Sequence, residues 1–391
     1  MSLQHRRRAA AGRLRGIVLV AFSFFAVLAA SGGSAAAASD LPLPSAIETP
    51  ADSWVVLPMG QTGSLVNTFW QLLRAAPGSS QWSVVTPQGV ADNGGLVAAA
   101  GVTTASTTVG FLPSQSLRFS PLSVTTDAGR TWSPAFLPGA LAARPDALAS
   151  GPGRSLAIVG SAVLQQPSNS PSWSRLVTLA ALQRLAPQCA ATALDAVAMT
   201  PTGAILVGAA CHGHLGLFSA SGGKWRLDGA PLPGEWRDAS TTILRLQASN
   251  TQTTAVATAT KGSHHALFAL SQSRSGGWHA SAPLPIGAGA TVLASAVDFG
   301  GALSVLVGSK ESESVDQITP AGSWVTLPAP PRGAVGLAWV VPATTSFGAT
   351  TLDAFTVVGG TDLRVFSLTP GGGKWAGAQT LQVPLPYGSS S

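Results

Sequence analysis

The sequence predicts an all-β chain that folds as a β-propeller, and three observations lead to this prediction. Short runs of Ala, Val, Leu and Ile alternate with turn residues, and no helical period is sustained. About four such runs make one unit, and a tryptophan beside a turn recurs roughly every 50 residues, the size of one propeller blade. The tryptophans of the series are Trp82, Trp132, Trp173, Trp225, Trp278, Trp324 and Trp375. The series predicts seven four-stranded blades, with six blades as the alternative.

The clearest unit shows how the pattern predicts strands. Leu194–Thr200 and Ala204–Ala210 are apolar runs separated by a Pro-Thr-Gly turn, and Leu215–Ala220 and Lys224–Leu227 follow across a loop and a second turn. Leu-Pro pairs follow several of the tryptophans, and proline ends an outer strand because it cannot donate to the ladder. Each Leu-Pro is therefore expected to begin the crossing to the next blade.

The two ends of the chain are expected to differ in role. Five arginines precede an apolar run at 17–30 and a small-residue cleavage site at 36–38, a pattern typical of a secretory signal peptide at residues 1–38. Residues 39–391 are predicted to form one propeller domain, in which 39–88 supply strands of the closing blade and 89–391 the remaining blades. Leu381–Pro386 is expected to help complete that closing blade, so that N- and C-terminal strands close the ring.

Removing the signal peptide changes the charge balance. Of 22 Lys and Arg residues, five lie in the predicted signal peptide, which leaves 17 basic against 16 acidic residues. A nearly neutral chain has no basic stripe for nucleic acid, so that partner is not predicted. No apolar run of the mature chain reaches the ~20 residues of a membrane span. The protein is expected to be secreted or held in the cell envelope, and to be a monomer.

Cys189 and Cys211 are the only cysteines, and an exported protein favours a disulfide between them. The strand–turn–strand pattern between them is expected to place the two roughly opposite on neighbouring strands. A zinc site with His212 and His214 is the alternative, but their spacing on a loop does not favour it. No metal and no cofactor is predicted.

One turn carries a recognisable motif. Thr125–Trp132 fits the pattern [S/T]-x-D-x-G-x-T-W, called an Asp-box, whose expected residues are Thr125, Asp127, Gly129, Thr131 and Trp132. Asp127 is expected to accept backbone N–H groups, Gly129 to supply a positive φ, and Trp132 to pack over the hairpin. The motif resembles the bacterial neuraminidase repeats of sialidases and of many non-catalytic secreted propellers. The resemblance implies a sialidase-like fold.

The same resemblance argues against catalysis. Sialidases use a tyrosine nucleophile and three arginines, the first in an [F/Y]-R-I-P sequence, but this chain has no such tetrapeptide. Its sole tyrosine, Tyr387, lies four residues from the end. No catalytic residue is therefore predicted.

Candidate binding residues come from the predicted crossings. Glu235-Trp236-Arg237-Asp238 is a dense polar and aromatic group, and an exposed tryptophan beside charged groups suits sugar stacking. Burial of Trp236 in the core is the alternative. Arg144 and Arg332 lie in other crossings and are either solvated arginines or part of the same surface. The predicted function is recognition of an extracellular or envelope glycan or protein. A sialidase-like glycoside hydrolase and an assembly factor for an envelope or photosynthetic complex are the alternatives.

Overall fold

A computed structural model describes residues 45–49, 52–60, 68–87, 96–103, 106–111, 120–137, 145–170, 172–248, 252–273, 276–298, 300–309, 312–319, 322–343 and 351–383. The chain divides into two compact units, Met1–Asp40 and Leu41–Ser391, and every described residue lies in the second. The predicted signal peptide therefore lies outside the described residues. The described part is almost entirely antiparallel β-structure, as the sequence predicts.

The described strands form successive runs of four. The first run is β1 (Ser45–Thr49), β2 (Asp52–Gly60), β3 (Thr68–Ala75) and β4 (Trp82–Val84). The second is β5 (Leu96–Thr103), β6 (Ser106–Phe111), β7 (Ser120–Thr125) and β8 (Ser133–Leu137). The third is β9 (Ala147–Gly151), β10 (Arg154–Val159), β11 (Ala162–Pro167) and β12 (Ser174–Thr178). The fourth is β13 (Ala193–Met199), β14 (Ile205–His212), β15 (Leu217–Ser221) and β16 (Lys224–Leu227).

The later runs follow the same plan. The fifth is β17 (Ser240–Ala248), β18 (Gln252–Lys261), β19 (His264–Ser273) and β20 (Trp278–Ala280), beside which β21 (Leu284–Ile286) also pairs with β19. The sixth is β22 (Thr291–Val297), β23 (Leu303–Gly308), β24 (Glu313–Ile318) and β25 (Trp324–Thr326). The seventh is β26 (Ala334–Val340), β27 (Thr351–Val358), β28 (Asp362–Leu368) and β29 (Ala376–Gln382). Within each run every strand pairs antiparallel with the next.

Five of the seven first strands share an irregularity. The register shifts at Val97 of β5, Asp195 of β13, Leu244 of β17, Leu293 of β22 and Val335 of β26. Such a bulge bends a strand and increases its twist. Four of the five bulged residues are apolar and one is an aspartate, so the irregularity belongs to the repeat, while the carboxyl of Asp195 is peculiar to the fourth run.

The hydrophobic core lies between neighbouring runs rather than within one sheet. One cluster joins the third and fourth runs, another the fourth and fifth, and another the fifth and sixth. A further cluster joins the sixth, seventh and first runs and includes the buried Leu57, Leu337 and Phe355. Alternating strand residues point to opposite faces of a sheet, so the fourth, fifth, sixth and seventh runs each bury both faces against their two neighbours. The seventh run also packs against the first, so the series of packed runs closes on itself.

The strand that completes the first run differs from the predicted one. Leu381 lies in β29, which pairs with β28 of its own run, while residues 384–386 lie outside the described residues. The first run is completed by β1, which pairs with β2 from Ser45↔Val56 to Thr49↔Asp52. The expectation that Leu381–Pro386 supplies a strand to the N-terminal blade is therefore wrong for its described part. A hairpin within 45–60 is the more local pairing, and its loop closes at lower entropy.

One helix interrupts the strands, which the sequence pattern did not predict. Helix α1 (Leu179–Leu185) lies in the crossing from β12 to β13, and the Thr178 hydroxyl caps it by accepting the N–H of Ala181 at 3.2 Å. A 3-10 turn at Pro187–Cys189 follows it. Seven residues make only two turns, too few for a helical period to be read in the sequence.

Candidate functional site

The Thr125–Trp132 turn has the geometry expected from its motif. Asp127 Oδ1 accepts the backbone N–H of Thr131 at 2.8 Å, and Oδ2 accepts the Thr131 hydroxyl at 2.6 Å. Gly129 has φ 84° and donates its N–H to the Thr125 hydroxyl at 2.9 Å. The bonds from Thr131 lower the pKa of Asp127 to about 2. Thr125 and Asp127 therefore make their side-chain hydrogen bonds within the turn, which gives both residues a structural role.

Trp132 does more than cover its own hairpin, which corrects the expectation. Its indole Nε1 donates to the carbonyl of Val85, which follows β4 of the preceding run, at 3.0 Å. Its ring packs on a buried group that includes Trp54 and Trp70 of the first run. The tryptophan of this turn therefore joins two neighbouring runs.

Two tryptophans of the other turns make the same contact. Trp324 Nε1 donates to the carbonyl of Ala282, just after the outer strand of the preceding run, at 3.0 Å. Trp375 Nε1 donates to the carbonyl of Pro328 at 3.0 Å. Trp278 differs, because its buried Nε1 has no hydrogen-bond partner in the described part of the chain. Trp132, Trp324 and Trp375 thus mark junctions between neighbouring runs, which explains their recurrence at corresponding turns.

The predicted disulfide is present. Cys189 is bonded to Cys211, with 5.1 Å between their Cα atoms, and both side chains are buried. Cys211 lies in β14 as expected, but Cys189 lies in the 3-10 turn rather than on a strand. The bond therefore ties the crossing after α1 to the fourth run. Among the described residues, no three His, Cys, Asp or Glu side chains come together as a metal group.

The candidate group at 235–238 lies in the crossing from β16 to β17, where Gly234–Trp236 forms a 3-10 turn. Trp236 is 7% exposed, and its ring packs edge-on against Phe268 with 6.0 Å between the centroids. An indole buried in this way offers no face for sugar stacking, so of the two readings the structure shows the one in which Trp236 packs in the core, and Trp236 is not a binding residue. Glu235, Arg237 and Asp238 are exposed.

Neighbouring turns hold this crossing in place. Gly213 donates its N–H to the carbonyl of Ala239 at 2.9 Å, and Leu232 donates to the carbonyl of Gly213 at 3.0 Å. Lys261 Nζ donates to the carbonyl of Glu235 at 2.5 Å and lies 3.8 Å from Asp238 Oδ2. The turn β14–β15, the crossing and the turn β18–β19 therefore meet at one end of the fourth and fifth runs.

We call the exposed polar side chains of this region the crossing patch. Its members are His212, Glu235, Arg237, Asp238, Lys261 and His264. Both signs of charge are present, and the histidines extend its hydrogen-bonding capacity. Sequence reasoning missed His212, Lys261 and His264, because they lie at the ends of β14, β18 and β19 and only the folded chain brings them beside residues 235–238.

The other predicted site residues are not brought into the crossing patch by any contact that the structure describes. Arg332 is exposed in the crossing from β25 to β26, beside Gly333, whose N–H donates to the Glu313 carboxylate at 3.0 Å. Arg144 and Tyr387 lie outside the described residues. Arg332 therefore remains a separate candidate in its own crossing.

Two half-buried charged groups on the first strands were also missed. Asp195, at the bulge of β13, accepts the N–H of Ile243 at 3.0 Å, and desolvation raises its pKa to about 7. Arg245 of β17 is half-buried, and desolvation lowers its pKa to about 10. Its Nη2 donates to the carbonyl of Ala46 at 2.5 Å. Arg245 thereby holds β1 against the fifth run, a structural task.

Comparisons with known proteins show the fold alone. No protein-family description and no curated protein matches the chain. A GH74 xyloglucanase from Xanthomonas campestris has a similar structure, with TM-score 0.53 and 16% identity over 83% of this chain and 51% of that one. This chain thus spans about half the length of the xyloglucanase. A protein from Lactobacillus plantarum matches with TM-score 0.52 and 9% identity over 85% of this chain and 97% of that one.

The strand runs and these likenesses together make the chain a β-propeller. Across the part of the chain that the structure describes, no helix has both the length and the apolar character to cross a membrane. The crossing patch is the surface from which a function can be argued, because it gathers exposed polar groups from three segments.

Proposed function

We propose that this chain is an exported, seven-bladed β-propeller that recognises an extracellular or cell-envelope partner through the crossing patch. The partner is a glycan or a protein. In this proposal each four-strand run is one blade, and Thr125–Trp132 is an Asp-box that marks a blade junction. The Cys189–Cys211 disulfide supports export, because disulfides persist in oxidising compartments.

The observation that carries the proposal is the rigidity of the crossing patch. Its loops are tied by the Gly213–Ala239, Leu232–Gly213 and Lys261–Glu235 hydrogen bonds, while its charged side chains remain exposed. Preorganised polar groups lose less conformational entropy when a partner binds. Loops on a rigid scaffold are also where proteins place binding residues.

The charges suggest how recognition works. Arg237 and Lys261 lie within the same patch as Glu235 and Asp238, so the patch complements a partner that also presents both signs or many hydroxyl groups. Trp236 supports the patch from below by packing on Phe268. Its replacement would report on stability rather than on contact with the partner.

Binding by charge-removal variants tests the proposal. A Glu235→Ala, Arg237→Ala, Asp238→Ala triple variant is compared with the wild type on a glycan array and in cross-linked capture from envelope fractions of the source cells. We expect the array or capture signal to fall at least tenfold. The matched control is Arg364→Ala, Lys374→Ala, which removes exposed charges of the seventh run and is expected to retain binding. Equal binding by the triple variant and the wild type contradicts the proposal.

The enzymatic alternative has its own test. A sialidase-like chain would release the fluorophore of a sialoside, and Tyr387→Phe would abolish that release. If the wild type releases the fluorophore and Tyr387→Phe does not, the chain is a hydrolase, and the recognition proposal is wrong. The assembly-factor alternative predicts co-purification with a membrane complex of the source cells.

A further inference from the structure

An open cavity lies between the fourth and fifth runs, at the opposite ends of the strands from the crossing patch. Because successive strands run antiparallel, the turns β13–β14 and β15–β16 lie at the other end of the fourth run from the crossing at 228–239. Residues of these turns, of the start of β18 and of the end of β19 line a volume of about 230 Å³. The cavity is therefore separate from the crossing patch.

One arginine in the wall of this cavity is held in a fixed orientation. Arg226 Nε donates to Asp228 Oδ1 at 2.6 Å and to the Ser219 hydroxyl at 3.2 Å. The side chain of Arg226 is 72% exposed, whereas that of Asp228 is only 12% exposed. Asp228 therefore orients the guanidinium from the protein side, and the exposed guanidinium is the group that a ligand meets.

The guanidinium of Arg226 suits one kind of anion. Its described hydrogen bonds are both made by Nε, which leaves Nη1 and Nη2 for a ligand. These two atoms form a planar fork that matches the two oxygens of a carboxylate. No other Lys or Arg lines the described wall, and Asp228 offsets part of the positive charge. A singly charged carboxylate is therefore favoured over a phosphate group, which carries nearly two negative charges.

Uncharged polar groups beside Arg226 narrow the ligand further. Ser221, Gln272 and Ser273 line the same cavity, and their exposed or half-buried side chains have no hydrogen-bond partner among the described residues. Hydroxyl groups of a ligand match them, because each hydroxyl is both donor and acceptor. The cavity is smaller than the roughly 300–1,000 Å³ typical of sites for drug-sized molecules, so it suits a single ring.

We propose that this cavity binds one hexuronate ring, a sugar ring that carries a carboxylate. The carboxylate oxygens accept from Nη1 and Nη2 of Arg226, and the ring hydroxyls hydrogen-bond to Ser221, Gln272 and Ser273. Asp228 keeps the guanidinium in place and does not contact the ring. A guanidinium that is already oriented loses less conformational entropy when the ligand binds. The site does not depend on the recognition proposed for the crossing patch.

Saturation-transfer NMR with four small probes tests the site. Methyl β-D-glucuronide carries both the carboxylate and the hydroxyl groups, and methyl β-D-glucoside is its uncharged counterpart. Glucose 6-phosphate replaces the carboxylate by a phosphate group, and N-acetylglycine keeps a carboxylate without the ring. We expect the glucuronide to bind with Kd on the order of 1 mM, as suits one charge-assisted contact on an open surface. The other three probes each lack one matched feature and are expected to bind at least about fivefold more weakly.

Variants place that binding in the cavity. Arg226→Gln removes the charge and the fork but keeps an amide that can donate to Asp228, and it is expected to weaken glucuronide binding roughly tenfold. Gln272→Ala changes a half-buried wall residue, and a loss of roughly threefold is expected. Arg364→Gln, at an exposed arginine of the seventh run, is the matched control and should bind as the wild type does.

Three results would overturn the proposal. The first is a glucuronide that binds no better than the glucoside, and the second is equally tight binding of glucose 6-phosphate or N-acetylglycine. The third is wild-type affinity for the glucuronide in both Arg226→Gln and Gln272→Ala. Thermal unfolding of each variant checks that it is folded, and the probe comparison on the wild type decides the ligand class without any variant.

Discussion

The indole Nε1 of Trp82 donates a 2.8 Å hydrogen bond to Oδ2 of Asp353, and this bond joins the first strand run to the last. The hydroxyls of Ser80 and Ser367 donate to the other carboxylate oxygen at 3.1 and 2.7 Å. Gln379 exchanges two hydrogen bonds with the backbone of Trp82. The ring is therefore closed by side chains where the two ends of the propeller meet.

The buried carboxyl of Asp353 predicts that the stability of the fold depends on pH. Burial raises the pKa of Asp353 from 3.8 to about 6, although hydrogen bonds from Ser367, Trp82 and Ser80 oppose the rise. The folded protein then holds this proton more tightly than the unfolded chain. Its contribution to stability is present below pH 3.8 and is lost as the pH rises through about 6.

Asp353→Asn should remove this dependence, since an amide accepts from Trp82 with its oxygen and donates to the serine hydroxyls. The free energy of unfolding of the wild type, relative to the variant, should fall by on the order of 2–3 kcal/mol between pH 4 and pH 7.5. Urea unfolding at the two pH values measures it. A difference between wild type and variant that does not change with pH would show that Asp353 does not titrate in this range.

Trp132 hydrogen-bonds to the preceding run and Trp278 has no described partner, so Trp132→Phe and Trp278→Phe should differ in stability. Trp132→Phe removes the Nε1 bond to Val85 and should lower stability by about 1 kcal/mol beyond the loss of ring contacts. Trp278→Phe is the matched control, because its Nε1 has no described partner and its removal relieves a buried donor. Thermal unfolding compares the two. Equal Tm losses in both variants would mean that the inter-run bond contributes nothing.

The disulfide predicts sensitivity to reduction. Cys189 and Cys211 are 22 residues apart, and a cross-link over a loop of this length stabilises by about 3 kcal/mol in the chain-entropy account. Reductant should therefore lower the Tm of the wild type. The Cys189→Ala, Cys211→Ala variant should start at the lower Tm and not respond to reductant. A wild-type Tm that reductant leaves unchanged would refute the stabilising role.

The hydrogen bond from Arg245 to the Ala46 carbonyl predicts that replacing this arginine of the fifth run destabilises strand β1. Arg245→Met keeps an apolar stem but removes the bond to the Ala46 carbonyl. Amide hydrogen exchange at residues 45–49 should become at least tenfold faster, since that strand loses its tie to the fifth run. Arg364→Met, an exposed arginine of the seventh run, is the control and should leave exchange there unchanged. Unaltered exchange in Arg245→Met would show that pairing with β2 and β22 holds the strand without Arg245.

Local patterns predicted the repeating part of the fold and not its junctions. The segment from Leu194 to Leu227 was predicted strand by strand, because apolar runs and turn residues are local signals. The burial of Trp236 was left open by the sequence, since its three polar neighbours Glu235, Arg237 and Asp238 do not reveal that its ring faces Phe268. The bonds of Trp132 to Val85 and Trp82 to Asp353 span 47 and 271 residues, beyond any local pattern.

Only part of the crossing patch could likewise be predicted from the sequence. Glu235, Arg237 and Asp238 were found as a dense polar group in one crossing, whereas Lys261 joins them only because the fifth run packs beside the fourth. His212 and His264 join the same patch from the ends of β14 and β19, which no local pattern places beside residues 235–238.

Closure of the ring between the first and last runs is the claim on which the propeller account depends. A double-mutant cycle of Trp82→Phe and Asp353→Ala, followed by urea unfolding, measures the coupling between the two residues directly. We predict a coupling free energy of about 1.5–3 kcal/mol, the range for a buried hydrogen bond to a charged group. A coupling below about 0.5 kcal/mol, within the additivity expected of distant residues, would contradict a ring closed at this junction.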